Sequence, residues 1–403
     1  MSAGPARSAS NGRWLVLLLV AVGACSSGPE RPGGSGASTR DSAGVTIREF
    51  PGPLPTNEVV LEPVWTHGHD AGDYEFQRVF QAVLQRGTAV VAADGGNDEV
   101  VMISPDGASF SVLARSGQGP EEVRGPGAVV RLGRDSVWVR DRGNSKLLLF
   151  VGGAPAVSVS TAGNAELSFN LMPIGVAPDG TLLLNTGAFR SDFEEPWLYG
   201  TLARLGPDGA SADTVGTYPL MQRRQEPINP FAAYGQAISA GRSFVTSRTD
   251  VPELHWRRPD GSLFRIDRWR PEPVYPTAAD FDDFIEAMRL SLARANPRMS
   301  GERLQEFLGE QVSRYALDRS VPMPYLRWMV GGDEGALWVA HRSDGGFWSA
   351  SYTVLAPDLG PVGLADFGRE VAVVDVSDEY VLAVVRDDYD VQALAVWRYR
   401  IVG

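Results

Sequence analysis

Short β-rich segments that recur at a regular spacing constrain the fold of this 403-residue chain more than any other feature. Typical segments are Thr88–Asp94, Glu99–Ile103, Ser136–Asp141 and Lys146–Phe150. Turns in which proline presets the backbone and glycine accepts a positive φ separate them. The Pro-Asp-Gly form of this turn recurs at 105–107, 178–180, 207–209 and 259–261. The pattern predicts an all-β fold built from hairpins.

The repeat has a period of about 45 residues, which is the length of a four-stranded propeller blade. The ends of the second strands can be placed in register at Asp94, Asp141, Thr186, Ser247, His341 and Arg386. Two of the intervals are longer because they hold inserted sequence. Six such strands predict a six-bladed β-propeller over residues 45–403. A pair of β-sandwiches and a seven-bladed ring with one degenerate blade are the alternatives.

A propeller must close its ring, and the C-terminal unit shows only three strands, at 370–376, 380–386 and 392–399. We expect the fourth strand of this last blade to come from the N-terminal part of the chain. Val45–Phe50 and Val59–Val64 are both placed to supply it. Such a closure would cover both exposed sheet edges.

Between the fourth and fifth units the apolar spacing changes to that of a helix. The apolar residues of this segment are Phe281, Phe284, Ile285, Met288 and Leu292. Thr277 and Asp280 predict a capping box, Asn296-Pro297 ends the helix, and Ser300 predicts the cap of a second helix. The sequence therefore predicts a helical hairpin over about residues 277–318. It could pack over a blade edge, cover the channel or dock a partner.

The N-terminal segment reads as an export signal. Arg7 and Arg13 precede an apolar run at 14–22, which is far shorter than the ~20 residues of a membrane-spanning helix. The sequence at 22–25, Val-Gly-Ala-Cys, resembles a bacterial lipobox. We expect residues 1–24 to be a lipoprotein signal peptide, Cys25 to carry palmitate or a similar acyl group, and 25–44 to form a flexible tether. An ordinary secretory signal is the alternative.

The expected location is a bacterial membrane, either the outer membrane or the extracytoplasmic face of another, with the lipid as anchor. The net charge of −12 argues against a nucleic-acid partner. Cys25 is the one cysteine, which excludes an intramolecular disulfide and a cysteine-based zinc cluster. We expect a monomer.

Residues 117–150 resemble the NHL-like six-bladed propellers of bacteria. Gly117–Val123 is similar to their G-x-G-P-G-E-F linker, with Glu121 and Val123 in place of the glycine and the aromatic residue. Val137–Asn144, followed by Lys146–Phe150, is similar to the end of an NHL repeat, and Ala89–Asp94 with Asn97 gives a second copy. Two earlier segments, 41–45 and 74–79, look like the N-terminal part of the same proteins. The resemblance implies a propeller and leaves its activity open, because this fold carries many functions.

Two patterns suggest metal binding. The pairs Asp94/Asn97 and Asp141/Asn144 recur in successive units, which favours a structural turn in which Asp and Asn bond the local backbone. The candidate metal cluster is His67, His69, Asp70 and Asp73. Residues i and i+2 of a strand share a face, so both imidazoles could reach one ion. The glycines around them favour an exposed polar turn instead.

The channel supplies the remaining candidates. Acidic and amide residues are few on the predicted innermost strands, which disfavours a calcium site. Arginines on these strands could bind an anionic ligand, and a histidine could face the same mouth. These candidate ligand-binding residues are Arg78, Arg131, Arg327 and His341.

No familiar catalytic motif, such as G-x-S-x-G, a Walker A loop or H-E-x-x-H, occurs in the sequence. We therefore expect a lipid-anchored cell-envelope propeller that binds a protein or small-molecule ligand, without a cofactor and without catalysis. The alternative is a metal-dependent hydrolase or lyase with its site in the central channel and a divalent metal as cofactor. Converging acidic, amide or histidine side chains at the channel centre would favour the enzyme.

Overall fold

The computed structural model describes residues 37–402 apart from 51–56, 71, 163–170, 191–195, 207–210, 223–226, 297 and 341–347. The expected signal peptide, Cys25 and the candidate His341 lie outside the described residues. Within the described ranges, no helix has both the length and the apolarity needed to cross a bilayer.

Three strands precede the repeated sheets: β1 (Ser38–Ser42), β2 (Val45–Phe50) and β3 (Glu58–His67). Three antiparallel sheets of four consecutive strands follow. The first contains β4 (Val79–Leu84), β5 (Val90–Asp94), β6 (Glu99–Ile103) and β7 (Phe110–Ala114). The second contains β8 (Pro126–Arg131), β9 (Ser136–Asp141), β10 (Lys146–Val151) and β11 (Ala154–Ser160). The third contains β12 (Leu171–Val176), β13 (Leu182–Arg190), β14 (Trp197–Leu205) and β15 (Ala212–Gln222).

The other two sheets are larger. The fourth has four strands of its own, β16 (Gly235–Ala240), β17 (Ser243–Arg248), β18 (Glu253–Arg257) and β19 (Leu263–Trp269), and adds β2 and β1 at its outer edge. Helices α1 (Ala278–Ala295) and α2 (Gly301–Val312) follow. The last sheet has β3 at its edge and otherwise contains β20 (Met329–Gly331), β21 (Leu337–Ala340), β22 (Ser349–Ala356), β23 (Gly360–Val376), β24 (Tyr380–Arg386) and β25 (Gln392–Ile401).

Strand β23 belongs to two groups of strands at once. Its first half, residues 360–366, pairs mainly with β22, and its second half, residues 372–376, pairs with β24. The seven-stranded sheet is therefore two four-stranded groups joined through one long strand.

The first strand of each group lies next to the first strand of the following group. Strand β4 contacts β8, β8 contacts β12, β12 contacts β16, β16 contacts β20, β20 contacts β23, and β23 returns to β4. These inner strands run in the same direction, because the C-terminal ends of neighbouring strands contact each other. The Leu84 amide donates to the Asp375 carboxylate over 2.7 Å, and the Gly241 amide donates to the Gly332 carbonyl over 2.7 Å. A closed ring of this kind is a β-propeller.

We call the end at which the inner strands begin the leading end, marked by residues 78–80, 124–127, 172, 234–236 and 327–329. The opposite end, at which they finish, is the trailing end, marked by residues 84, 131, 240–241, 331–333 and 375–376. The hydrophobic core lies between neighbouring sheets rather than within one of them. Val91 of β5, for example, shares a buried cluster with Val129 of β8 and Val139 of β9. Leu183 of β13 shares another with Phe244 of β17.

The N-terminal strands close the ring, and they do so differently from each other. Strand β3 pairs antiparallel with the C-terminal strand β25, from Val59 opposite Ile401 to His67 opposite Leu394. This confirms the second of the two candidate segments for closure. Strand β2, the first candidate, instead pairs in parallel with β19, so it extends the fourth sheet and does not complete the last one.

Strand β1 lies within residues 25–44, the range predicted as a flexible tether, and pairs with β2 along its whole length. The folded body therefore begins before residue 45. A buried ion pair holds this extension in place: Nε and Nη2 of Arg48 in β2 donate to the two carboxylate oxygens of Asp267 in β19 over 2.6 and 2.7 Å. The side chain of Asp267 is 1% exposed, so this carboxylate depends on its partners.

The predicted helical hairpin is present. Thr277 and Asp280 form the capping box of α1, and the Ser300 hydroxyl accepts the Arg303 amide at the start of α2. The expected register of the second strands also holds to within one residue at β5, β9, β17, β21 and β24. It fails at β13, which continues past Thr186 to Arg190.

Candidate functional site

The repeated Asp/Asn pairs hold turns together at the leading end. The buried Asp94 carboxylate accepts the amides of Gln77, Arg78 and Gly96, each over 2.9 Å. The Asn97 side chain donates to Asp94 over 3.0 Å. Every carboxylate oxygen is thereby used by the protein itself, which confirms the structural interpretation of this pair.

Asp141 and Asn144 repeat this arrangement in the second sheet. The Asp141 carboxylate accepts the Arg124 amide over 3.0 Å and the Asn144 side-chain amide over 2.7 Å. Asn144 also donates to the Gly117 carbonyl, and Lys146 donates to the Gly119 carbonyl over 2.7 Å. The glycine-rich linker at 117–123 is thus tied to the turn of the next sheet.

The residues of the candidate metal cluster lie at the end of β3 and in the segment that follows it. His67 is buried, its Nδ1 lies 2.8 Å from the Gly107 carbonyl oxygen, and its Nε2 accepts the Tyr74 amide over 3.1 Å. Asp73 accepts the Gly68 amide over 2.7 Å and the Asp70 amide over 3.2 Å. His69 is exposed, with Nε2 3.3 Å from the Val391 carbonyl. Both nitrogens of His67 therefore serve the backbone.

Arg131, one of the candidate channel arginines, lies at the trailing end in an ion-paired cluster. Its Nη2 donates to Oδ2 of Asp375 over 3.0 Å, and its Nε lies 3.0 Å from Oδ2 of Asp333. Asp333 follows β20, which is three inner strands from β8 in either direction around the ring. This contact therefore crosses the axis of the ring. Arg131 has its charge matched by the protein's own carboxylates.

Asp375 is the most strongly perturbed acid of this cluster. Its side chain is 9% exposed, and burial raises its pKa to about 6, although the nearby Arg131 charge opposes the rise. Asp333 adds to the rise by repulsion, and the Leu84 amide, which donates to the carboxylate, opposes it. The groups of this cluster lie at or just after the ends of β4, β8, β20 and β23. The packing of these four inner strands therefore depends on whether Asp375 is protonated.

Arg78 and Arg327 lie at the leading end, apart from Arg131. The Arg78 guanidinium stands 4.5 Å from the centroid of the Phe80 ring, and both residues are exposed. The backbone carbonyl of Arg327 accepts hydrogen bonds from the Tyr234 hydroxyl and, over 2.8 Å, from the Gln236 side chain. Burial raises the pKa of Tyr234, and the Arg327 charge opposes that rise. The structure does not bring the three candidate arginines together.

Two other arginines, which the sequence reasoning missed, lie at the leading end. Arg140 is half-buried near the end of β9, and its Nη1 lies 3.6 Å from the sulfur of Met172 at the start of β12. Arg142 is exposed in the following turn, and its Cδ lies 3.3 Å from a Cβ built on Gly127 of β8. The available signal was a cation two residues beyond Trp138, on the same face of the strand.

The electrostatics of this region differ from those of the Arg131 cluster. Burial, together with the neighbouring charge of Arg142, lowers the pKa of Arg140 to about 10. Within the described ranges, no carboxylate lies within 4.0 Å of the Arg78, Arg140 or Arg142 guanidinium. Such groups can accept an external anion without first breaking an internal ion pair.

The helical hairpin is joined to the leading end. Phe284 of α1 packs against Phe231, in the connection from β15 to β16, and against Tyr315, with ring centroids 6.5 and 5.0 Å apart. The Ile228 amide donates to the Arg314 carbonyl over 2.8 Å, which adds a backbone link between that connection and the end of the hairpin. The hairpin is therefore anchored at the start of the fourth inner strand.

No group of three or more His, Cys, Asp or Glu side chains arranged for a metal ion occurs among the residues that the structure covers. An apolar cavity lies between the fourth and fifth sheets, lined by Trp269, Tyr325, Val339 and Leu355 among others. It has room for about one water molecule, so it offers no space for a larger ligand.

Comparison with known proteins yields structural likeness only. No protein-family model and no curated protein sequence matches the chain. A Bacteroides fragilis protein that is described as exported is 12% identical, with a TM-score of 0.52. The match covers 89% of this chain and 100% of that one. This likeness shows a shared fold.

Two other solved structures match less closely. A calcium-binding protein, regucalcin from Agrobacterium tumefaciens, is 9% identical with a TM-score of 0.42, over 86% of this chain and 98% of its own. Streptogramin B lyase is 9% identical with a TM-score of 0.38, over 86% and 88%. The NHL resemblance and the lipid anchor stay predictions from the sequence.

Proposed function

We propose that this protein is an exported, lipid-anchored, six-bladed β-propeller that binds a ligand or partner at its leading end. The blade count is supported by the ring of inner strands β4, β8, β12, β16, β20 and the second half of β23. In this description β3 supplies the outer strand of the sixth blade. The rigid ring positions recognition groups that lie on its connecting loops.

The observation that carries the binding function is the difference in charge between the two ends. At the trailing end Arg131 is matched by Asp333 and Asp375. At the leading end the guanidinium groups of Arg78 and Arg140 lie beside the exposed apolar side chains of Phe80 and Met172, and the charge of Arg142 acts on Arg140. A cation without an internal carboxylate partner, next to apolar surface, is suited to binding a ligand. An anionic ligand replaces the hydrogen bonds that the guanidinium loses when its water is removed.

Metal analysis of the mature protein, purified without chelator, tests this function against a metal-dependent one. The proposal predicts no stoichiometric metal and an unfolding temperature that EDTA leaves unchanged, because no ion would stabilise the folded state. Stoichiometric calcium or a transition metal, lost together with thermal stability on chelation, would contradict the proposal. It would favour a metal-dependent hydrolase or lyase instead.

The expected anchor has a separate test. Expressed in a bacterial host with its own signal, the wild-type chain should take up labelled palmitate and sediment with membranes. Cys25→Ala should abolish both because the thiol that carries the acyl chains is lost. Membrane association that survives Cys25→Ala would refute lipidation at this residue. It would not bear on the proposed blade count or on binding at the leading end.

A further inference from the structure

Cationic and apolar side chains lie near the start of three neighbouring inner strands at the leading end. At one side the Arg78 guanidinium covers the exposed ring of Phe80. At the centre Arg142 lies over Gly127, near the start of β8. At the other side Arg140 contacts Met172, near the start of β12. We call these five residues, Arg78, Phe80, Arg140, Arg142 and Met172, the arginine strip.

The backbone beneath the strip leaves room for these side chains. A Cβ on Gly95 would collide with the Phe80 ring and lie 3.2 Å from the Pro126 carbonyl oxygen. Phe80 therefore reaches from the first sheet to the beginning of the second. Pro126 also pairs with Asp141, which separates Arg140 from Arg142 in sequence. These contacts connect the two sides of the strip through β8.

Two properties of the strip select its ligand. Phe80 and Met172 are each 40% exposed, although both are large and apolar. The half-buried Arg140 makes its one described polar side-chain contact with a thioether, which is a weak acceptor, and the nearby Arg142 charge opposes its own. A negative charge at this position would relieve that repulsion. Apolar surface on either side would cover the rest of the same molecule.

We infer that the arginine strip binds a small organic anion, one phosphate or carboxylate group attached to an aromatic or other apolar body. Arg140 and Arg142 hold the anionic group, since guanidinium donors match its oxygens in pairs. Phe80 and Met172 contact the apolar body, and Arg78 stabilises the orientation of Phe80 by its position over the ring. This inference rests on the proposed binding function and names the ligand class of the same end.

Titration calorimetry with 2-naphthyl phosphate on the full mature protein tests the inference. The neutral probe 2-naphthol controls for apolar contact alone. Arg140→Met and Arg142→Met should each raise the dissociation constant about tenfold, and 2-naphthol should bind at least about tenfold more weakly than its phosphate. Added salt should weaken the binding of 2-naphthyl phosphate but not the binding of 2-naphthol.

Arg86→Met is the matched control. Arg86 is an exposed arginine in the turn after β4, paired with Asp135 over 2.6 Å and remote from the strip. Its loss should leave the dissociation constant within about twofold of wild type, because the charge that it removes is already matched. Urea midpoints of all variants verify that each is folded before its affinity is compared.

Three results would overturn the inference: no binding of 2-naphthyl phosphate, equal binding of 2-naphthol, or equal losses in Arg140→Met and Arg86→Met. Metal analysis of the mature protein tests the proposed function independently of this titration. If the protein is metal-free and does not bind 2-naphthyl phosphate, the inferred ligand class is wrong and the proposed binding function stands. If the protein contains stoichiometric metal, the proposed function itself is wrong.

Discussion

At the trailing end of the ring Arg131 lies against two carboxylates, whereas at the leading end Arg140 lies against the Met172 thioether and feels the like charge of Arg142. Both ends are built by the same inner strands, so the difference does not come from the fold. It comes from which side chains the connecting loops and strand ends carry. A matched cation stabilises the ring, and an unmatched one is available to a ligand.

The largest effect should follow from removing the matched cation. Arg131→Met leaves the Asp375 carboxylate buried without its main counter-charge, which should lower the free energy of unfolding by roughly 3–4 kcal/mol at pH 7.5. Arg140→Met, the same change at the leading end, should alter it by less than about 0.5 kcal/mol because no carboxylate of the described residues pairs with Arg140. Urea denaturation of both variants measures the difference. Equal losses would remove the distinction between the ends.

The pH dependence of stability should report the trailing end. The pKa of Asp375 is raised in the folded state to about 6, so the folded state binds its proton more tightly than the unfolded state does. This contribution is complete below pH 4 and is lost as the pH rises through 6, by roughly 2–3 kcal/mol. Asp375→Asn should abolish that part of the profile.

Urea denaturation between pH 4.5 and 7.5 compares the two proteins. Relative to Asp375→Asn, the wild-type protein should lose stability as the pH rises. Arg140→Met, which changes no acid, should keep the wild-type profile. Parallel profiles for wild type and Asp375→Asn would show that Asp375 titrates normally.

A smaller effect is expected in the hairpin at the leading end. Thr277→Ala removes the hydroxyl that caps α1 and should cost about 1 kcal/mol of local stability. Amides in the first turns of α1 should then exchange hydrogen about fivefold faster, whereas those of β8 and β23 at the trailing end should not change. Thr277→Ser, which keeps the cap, is the control. Faster exchange at both ends would show that the hairpin supports the whole ring.

The smallest effect belongs to the surface of the trailing end. Arg86 and Asp135 are 70% and 42% exposed, so water screens their ion pair. Arg86→Met should change the free energy of unfolding by less than about 0.5 kcal/mol, as the same urea titration would show. A loss similar to that of Arg131→Met would mean that burial does not separate the two arginines.

The sequence predicted the local features well because each depends on neighbouring residues. The Pro-Asp-Gly turns at 105–107, 178–180 and 259–261, the capping box at Thr277 and the strand ends near Asp94 and Asp141 all follow from hydrogen bonds between nearby residues and from backbone preferences; the turn expected at 207–209 lies outside the described residues. The closure by β3 was predicted only as one of two possibilities. Nothing in Val45–Phe50 alone showed that the Arg48 side chain would pair with Asp267, more than 200 residues away.

The candidate site was harder to predict for the same physical reason. Arg131 looked like a ligand-binding residue because its partners, Asp333 and Asp375, are distant in sequence and meet it only across the ring. Arg140 was overlooked because it belongs to a second strand, and only the sheet pairing of Asp141 with Pro126 places it at the mouth. The sequence shows which side chains are charged, but which of them form ion pairs depends on contacts that exist only in the closed ring.

The most direct test is a crystal structure of the mature protein soaked with 6-bromo-2-naphthyl phosphate, in which anomalous scattering locates the bromine. We expect a bromine position beside Phe80 or Met172, with the phosphate on Arg140 and Arg142. A bromine beside Arg131 at the trailing end, or against the helical hairpin away from the arginine strip, would contradict it.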